Sequence, residues 1–374
     1  MLRGQRTIPF VVAAVTCAVV SCGPQSDTYT SGGRTIVDAA ADQDGVTKIL
    51  VYYDMEGISG QNDLRSLSYG NPEYEPAREW LTNDVNAVID GLFSGGADVV
   101  DVVDAHGSGN PESDILVDRM DSRANLLDKA DPFRPYVDLT EAGVYDAVAV
   151  VCMHSKTGGG GFGAHTYTLG MDWILNDMSI NETEIIAYAW GQVGVPVIFA
   201  SGDNTLAEQL SWMDWLEYVT VKTAIAADDA ELRPFEDVHE EMRTAAARAV
   251  ENVTSSKAVT LTTPIKAQLR AVPPAGLDQL DGVPGIDYHD QAVTFYADNY
   301  LEAYDGIEAL IGLATQSYMQ LLNSAVNGQP NGADIRERFV EALFRRWADV
   351  ESGRWEAPPS SPPQSGDRTY FGVM

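Results

Sequence analysis

From Thr47 onward the chain alternates short apolar runs with longer stretches of helical periodicity. Lys48-Ile-Leu-Val-Tyr-Tyr53 is an apolar, β-rich run. It is followed over residues 75–93 by Leu81, Val85, Val88, Ile89 and Leu92 at helical spacing, with Ser94-Gly95-Gly96 as a stop. Further strands are expected over 97–103, 145–153 and 195–200. Helices are expected over 184–192 and 205–210, the latter capped by Asp203 or Asn204. Nearly continuous apolar strands separated by helices predict an α/β fold: a mostly parallel sheet with helices on both faces. The C-terminal half reads differently. A long amphipathic helix over 234–252 precedes strands over 258–262, 265–271 and 293–297 and a helix over 299–319, a smaller α+β portion beside the first sheet. One more helix is expected over 333–350, and four prolines mark an irregular tail from Ala357.

The first residues have a different character. Arg3 and Arg6 precede an apolar run of 14 residues, Ile8 to Ser21, too short for a stable spanning helix. The run ends in Val19-Val20-Ser21-Cys22, which resembles the lipobox of bacterial lipoproteins. That resemblance implies cleavage after Ser21, a lipid on Cys22, and a membrane-anchored protein of the cell envelope facing the periplasm or exterior. Residues 23–45, rich in Ser, Thr, Gly and Asp, read as a flexible tether. Cys17 would leave with the signal, so only Cys152 would remain in the body and no internal disulfide is expected. The domain reading is then a signal peptide over 1–21 and a tether over 22–46. A metal-binding catalytic domain over 47–225 and an α+β portion over 226–320 follow, with a helical extension and irregular tail over 321–374.

Charge narrows the function. With 24 basic and 55 acidic side chains, net −31, the chain lacks the basic clusters that contact phosphates, which argues against nucleic acid and against docking on anionic lipid by charge. Apolar residues at 45% are enough for a sizeable core. Only six lysines among so many acids fit either a protein kept soluble in high salt or an acidic secreted surface.

In open α/β sheets ligands bind beyond the carboxyl ends of the strands. Residues in that position here are Asp54-Met55-Glu56-Gly57, Asp104-Ala105-His106-Gly107, His154, and Ser201-Gly202-Asp203. Any one strand-end Asp can be a helix cap, and any one His a satisfied polar residue. Together they point elsewhere. Asp54 and Glu56, two apart, share one side of an extended chain, and close carboxylates repel unless a cation or proton lies between them. Two imidazoles complete a mixed oxygen and nitrogen ligand set suited to zinc. The loop Lys156-Thr-Gly-Gly-Gly-Gly-Phe-Gly163 is not a phosphate-binding Walker loop, because Lys-Thr precedes the glycines. It reads as main chain that approaches substrate closely, with His165 just beyond it.

At these residues the chain resembles the DppA-type D-aminopeptidases, zinc peptidases acting on short peptides with D-amino acids. The resemblance rests on Val51-Tyr-Tyr-Asp-Met-Glu-Gly-Ile-Ser-Gly60, Tyr74-Glu-Pro-Ala-Arg78, Asp104-Ala-His106, His154 with its glycine loop, Ala164-His-Thr166, Asn181-Glu182, Val195-Pro-Val197, Gly202-Asp203, Val221-Lys222 and Phe295–Tyr304, in collinear order from Thr47 to Leu313. It implies two zinc ions per chain. Asp54 matches the bridging carboxylate, Glu56, His106, His154 and Glu182 match further ligands, and His165 matches a non-ligand histidine that assists catalysis. Glu182 comes from the resemblance alone, with Glu184 its rival should the alignment slip. Asn181 stands where the family often has Gly, residues 226–230 lack a basic residue frequent there, and His239 and His289 match no family role. Members form ring-like oligomers, which implies a homo-oligomer here, with the tail beyond Gln316 an addition that bears on that assembly.

The chemistry the resemblance implies is a zinc-dependent aminopeptidase that hydrolyses short peptides with N-terminal, D-configured residues by a metal-activated water. No Gly-x-Ser-x-Gly elbow competes, and Cys152 lies inside a strand. Two alternatives stay open. Another dinuclear metal hydrolase, an amidase or phosphoesterase, is one, although a phosphoesterase would show Asp-x-His on strand one and a later Asn-His pair. A non-catalytic, lipid-anchored zinc- or peptide-binding protein is the other, distinguished by a closed metal site.

Overall fold

The computed structural model describes residues 29–39, 45–129, 134–272 and 275–355. In chain order the strands and helices begin with β1 (Tyr29–Ser31), β2 (Arg34–Asp38), β3 (Lys48–Tyr53), α1 (Tyr74–Ser94), β4 (Val99–Asp104), β5 (Asn125–Leu126), α2 (Pro135–Asp138) and β6 (Ala147–Val151). Next come β7 (Met171–Leu175), β8 (Met178–Ser179), α3 (Glu182–Gly191), β9 (Val197–Asp203), α4 (Asn204–Leu210), β10 (Glu217–Ala226), β11 (Asp229–Leu232) and α5 (Phe235–Glu251). The last are β12 (Lys257–Leu261), β13 (Ile265–Ala271), β14 (Asp287–His289), β15 (Ala292–Ala297), α6 (Tyr300–Val326) and α7 (Gly332–Glu351).

The central sheet has seven strands in the order β11-β10-β9-β6-β3-β4-β5, parallel except for the β10–β11 edge pair. β3 and β6 are apolar along nearly their whole length because both faces of the sheet are covered. On one face α1 and α5 pack through Leu81, Val85, Val88, Val238, Met242 and Ala246. On the other, α3 and α4 pack against the sheet, and α6 lies between α3 and a second, five-stranded antiparallel sheet, β14-β15-β13-β7-β8, which it meets through β13 and β15. The α/β expectation therefore holds, with one refinement. β7 and β8 come from the middle of the chain, so the α+β portion is built from two separated segments. Among the described residues, no helix is long and apolar enough to cross a membrane.

The start of the body differs from its expectation. Residues 29–38, read from the sequence as part of a flexible tether, form the β1–β2 hairpin, and β2 pairs antiparallel with β12. The β-branched Thr35-Ile36-Val37 supplies strand propensity. Arg34 fastens the hairpin: its Nε donates to the Tyr188 hydroxyl at 2.7 Å, its Nη2 meets Glu184 Oε1 at 2.5 Å, and its guanidinium covers the Trp212 ring. Residues 1–28, with the expected signal peptide and Cys22, lie outside the described residues, as does the tail from residue 356.

α3 is pressed against β12. A Cβ on Gly191 would lie 1.8 Å from the Val259 carbonyl oxygen. Gly191→Ala should therefore force α3 and β12 apart and destabilise the fold by about 1–3 kcal/mol. Denaturant unfolding checks this, and an unchanged midpoint would show that the contact yields at no cost.

Candidate metal centre

The ligand-type residues sit where the central strands end. Asp54 follows β3, and its N–H extends the ladder to the Val151 carbonyl at 3.0 Å. The chain then turns sharply. Gly57 N–H donates to the Cys152 carbonyl at 2.7 Å, and a side chain at Gly57 would strike the Met153 carbonyl at 2.2 Å. Buried Lys222 on β10 pins the same turn by donating to the carbonyls of Glu56 and Gln61 at 2.7 and 3.0 Å. Burial of this ammonium pushes its pKa down to about 8. His106 follows β4, its N–H bonded to Asp104 Oδ1 at 2.8 Å. His154 follows β6 beyond Cys152, whose φ of +63° is rare for a residue with a side chain. Glu182 opens α3. Asn181 caps that helix in a reciprocal box with Glu184, which sets Glu182 at the first turn facing the strand ends.

These side chains converge. Asp54, Glu56 and His106 can each present a ligand atom within 4.8 Å of one another, and so can Asp54, His154 and Glu182, with Asp54 common to both groups. His106 Nδ1 lies 2.9 Å from Asp54 Oδ1 and 3.2 Å from Glu56 Oε2. His154 Nε2 lies 3.3 Å from Asp54 Oδ2 and 3.5 Å from Glu182 Oε2. All five are buried. The far nitrogen of each imidazole is already committed. His106 Nε2–H donates to the Leu67 carbonyl at 2.8 Å and His154 Nδ1–H to the Ser155 carbonyl at 2.9 Å. That fixes which nitrogen faces the cluster, so once that nitrogen is deprotonated each ring offers a lone pair there, as in histidines that ligate metal.

The cluster is short of positive charge. Burial alone would keep the imidazoles neutral. Glu56 and Asp54 outweigh it at His106, and Glu182 and Asp54 at His154, holding both pKa values well above the usual histidine range. Burial would likewise raise Asp54, but its hydrogen bond with His106 and the charge of His154 3.3 Å away hold it well below the carboxylate range; Glu182 is lowered by His154 against the same burial. Glu56 Oε2 and His154 Nε2 are buried and make no hydrogen bond. Three carboxylates, fixed ring nitrogens and two unsatisfied ligand atoms fit a pair of zinc ions sharing Asp54.

Glu182 and Glu184 have separate tasks. Glu182 faces the cluster, while Glu184 closes the helix cap and pairs with Arg34. Both Glu182 oxygens are also held from outside, Oε2 by the Tyr136 hydroxyl at 2.5 Å and Oε1 by the Tyr167 N–H at 2.6 Å. Burial, reinforced by Glu182, keeps the Tyr136 phenol protonated as a donor. Sequence reasoning missed Tyr136, because nothing in its local pattern separates it from the other 15 tyrosines.

The glycine loop also departs from its reading. Its glycines make room for protein atoms: a Cβ on Gly161 would meet Ser155 Oγ at 2.3 Å and Asp203 Oδ2 at 2.5 Å, and one on Gly163 (φ +68°) would meet Glu56 Cγ at 2.6 Å. His165 is consequently well fixed. Its N–H bonds the Ser155 carbonyl at 3.1 Å, its Nδ1–H the Gly163 carbonyl at 2.7 Å, and its ring stacks on His154 at 4.1 Å between centroids. Its Nε2 lies 3.6 Å from Glu182 Oε1. His165 can also join Glu56 and His154 as a third candidate ligand group. The remaining histidines are elsewhere: His239 bonds Asp84 at 2.7 Å, and His289 is exposed beside Asp290.

Residues 47–309 match the M55 peptidase family, described as D-aminopeptidase. The chain belongs to the M55 D-aminopeptidase family. A D-aminopeptidase of Bacillus subtilis (strain 168) is 27% identical over 164 residues, which cover 43% of this chain and 58% of that relative's length. The solved structure of the Zn-dependent D-aminopeptidase DppA from Bacillus subtilis, described as a self-compartmentalizing protease, shares the fold with a TM-score of 0.66. It is 22% identical and covers 72% of this chain and 99% of its own.

This M55 chain carries α7 beyond the family match, and α7 lies over the candidate site. Together they enclose a cavity of about 410 Å³ with Asp54, Glu56, His106, His165 and Glu182 on its floor. Asp54→Ala should abolish zinc binding, whereas Tyr136→Phe should weaken zinc affinity about 10–100-fold while leaving the candidate ligands in place. Zinc content by mass spectrometry, with competition by a chelator, separates the two. Full zinc in Asp54→Ala would overturn the assignment.

Proposed function

We propose that this chain is a zinc aminopeptidase that removes the N-terminal residue, D-configured, from short peptides. The observation that carries this reading is the sharing of Asp54 by two buried ligand groups on the floor of a cavity. Membership of the D-aminopeptidase family supports it. We take Asp54, Glu56, His106, His154 and Glu182 as the ligands of two zinc ions. Bound there, zinc would supply a Lewis acid for the scissile carbonyl and an acidified water as nucleophile.

The chain's own groups account for the remaining requirements. Tyr136 and the Tyr167 N–H hold Glu182 in one orientation, so that it keeps its place as substrate enters. His165 is the one imidazole of the three with appreciable exposure, 14% of its side chain, toward the cavity. With Nδ1–H tied to Gly163, its Nε2 is the atom that can carry a proton to the leaving amine or stabilise negative charge on the carbonyl oxygen. The self-compartmentalizing description of the DppA structure supports a homo-oligomer for this chain as well. The Ser21-Cys22 junction supports anchoring in the cell envelope by lipid.

His165→Ala should keep its zinc and lose about 10²–10⁴-fold in turnover. Metal content and release of D-Ala and L-Ala from matched peptides, measured on one sample, test this. Full activity would make His165 a bystander, loss of zinc would make it a ligand, and a wild-type protein that is zinc-loaded but releases neither residue would overturn the enzyme reading. For the address, mass spectrometry of the mature protein should find a lipidated N-terminus at Cys22. An N-terminus at Met1 would refute it.

A further inference from the structure

The cavity over the metal-site residues has two unlike parts. The floor is polar and acidic. Another part of the lining belongs to α7, which lies outside residues 47–309, and is apolar along Val340, Leu343, Phe344, Trp347 and Val350. Four polar contacts fasten this wall in place. Trp347 Nε1 donates to the Ala164 carbonyl at 3.1 Å, and Glu351 Oε2 accepts from the Gly158 N–H at 2.7 Å. Ser352 Oγ accepts from the Ala227 N–H at 3.0 Å, and Arg354 pairs with Asp228 at 2.8 Å. The Trp347 ring meets His165 edge-on at 6.2 Å. α7 is thus bonded to the loop that carries His165.

Arg346 is the basic side chain in this wall. Among the described residues it forms no ion pair, in a chain where acids outnumber bases by 55 to 24. Its Nε is buried without a hydrogen-bond partner. Its guanidinium lies over the Trp355 ring at 4.5 Å, which holds the plane of the fork. Among the described residues its guanidinium makes no hydrogen bond, and a free fork of this kind matches a carboxylate, which can take two of its N–H groups at once. A peptide whose amino end sits among the floor residues presents its other end to the α7 wall.

We propose that Arg346 recognises the C-terminal carboxylate of the substrate, and that with the apolar face of α7 it selects free di- and tripeptides with an apolar residue after the scissile bond. The inference rests on the aminopeptidase reading above and adds the substrate class. A cavity of about 410 Å³ holds a ligand of that size. A blocked or longer peptide would leave the guanidinium unpaired.

The test compares D-Ala-D-Leu with its C-terminal amide on the zinc-loaded full chain. Wild type should favour the free acid by about 10–100-fold in kcat/KM, the range of a hydrogen bond to a charged group. Arg346→Met should raise KM for the free acid and bring the ratio near one, and Arg346→Lys should restore part of it. A wild-type ratio near one, or a ratio untouched by Arg346→Met, would overturn the proposal. Equal loss on both peptides would also overturn it, by making Arg346 a structural residue of α7. Cleavage of neither peptide by the zinc-loaded wild type would instead bring down the aminopeptidase reading itself.

Discussion

Three carboxylates, Asp54, Glu56 and Glu182, are buried within reach of one another, and much of the fold exists to hold them there. Such a group is stable only with positive charge between its members. The two neighbouring imidazoles supply some of it when protonated: one N–H of each is spent on the carbonyl of Leu67 or Ser155, and the second faces the carboxylates. Binding of a metal there would displace those protons, which would couple affinity to pH and loading to the integrity of the fold. The supports come from far along the chain: Lys222 from β10 for the Asp54 turn, Tyr136 from α2 for Glu182, and Tyr300, whose hydroxyl donates to the Ile185 carbonyl in the helix behind Glu182.

How much of this could be read from the residues varied with the kind of signal. The four core strands and the long helices α1, α5, α6 and α7 announce themselves by apolar run length or helical period, because burial on both sheet faces or along one helix stripe leaves a direct imprint. β7 and β10 do not. β7 is a five-residue strand buried beside a glycine-rich loop, and β10 runs past the sheet edge with mixed exposure. The β1–β2 hairpin is polar in composition and gains its order from β12 and from the Glu184 and Tyr188 partners of Arg34, about 150 or more positions away.

The site divides in the same way. Asp54, Glu56, His106 and His154 are legible because strand ends in an α/β sheet are privileged positions and the chain has only five histidines. Glu182 sits on a helix start and needed the family pattern; its exclusion of Glu184 became visible only through the Asn181 cap. Tyr136 and the Tyr167 N–H act on Glu182 through space, with no spacing rule to point to them. The glycine loop shows how a correct detection can carry an incomplete reason. The glycines are required, but Gly161 and Gly163 are small for the sake of Ser155, Asp203 and Glu56.

The position of α7 in the chain orders events in time. The elements bearing Asp54, Glu56, His106, His154 and Glu182 leave the ribosome before residue 192, and the roof of the cavity is complete only at residue 351. At about 5–20 residues per second, those 160 or so residues take roughly 10–30 s to make. During that interval the nascent chain already owns its candidate ligand residues but has no wall of α7 above them. Access for a metal ion would therefore be widest before synthesis ends, and the helix that shapes the cavity is also the last helix among the described residues to close it.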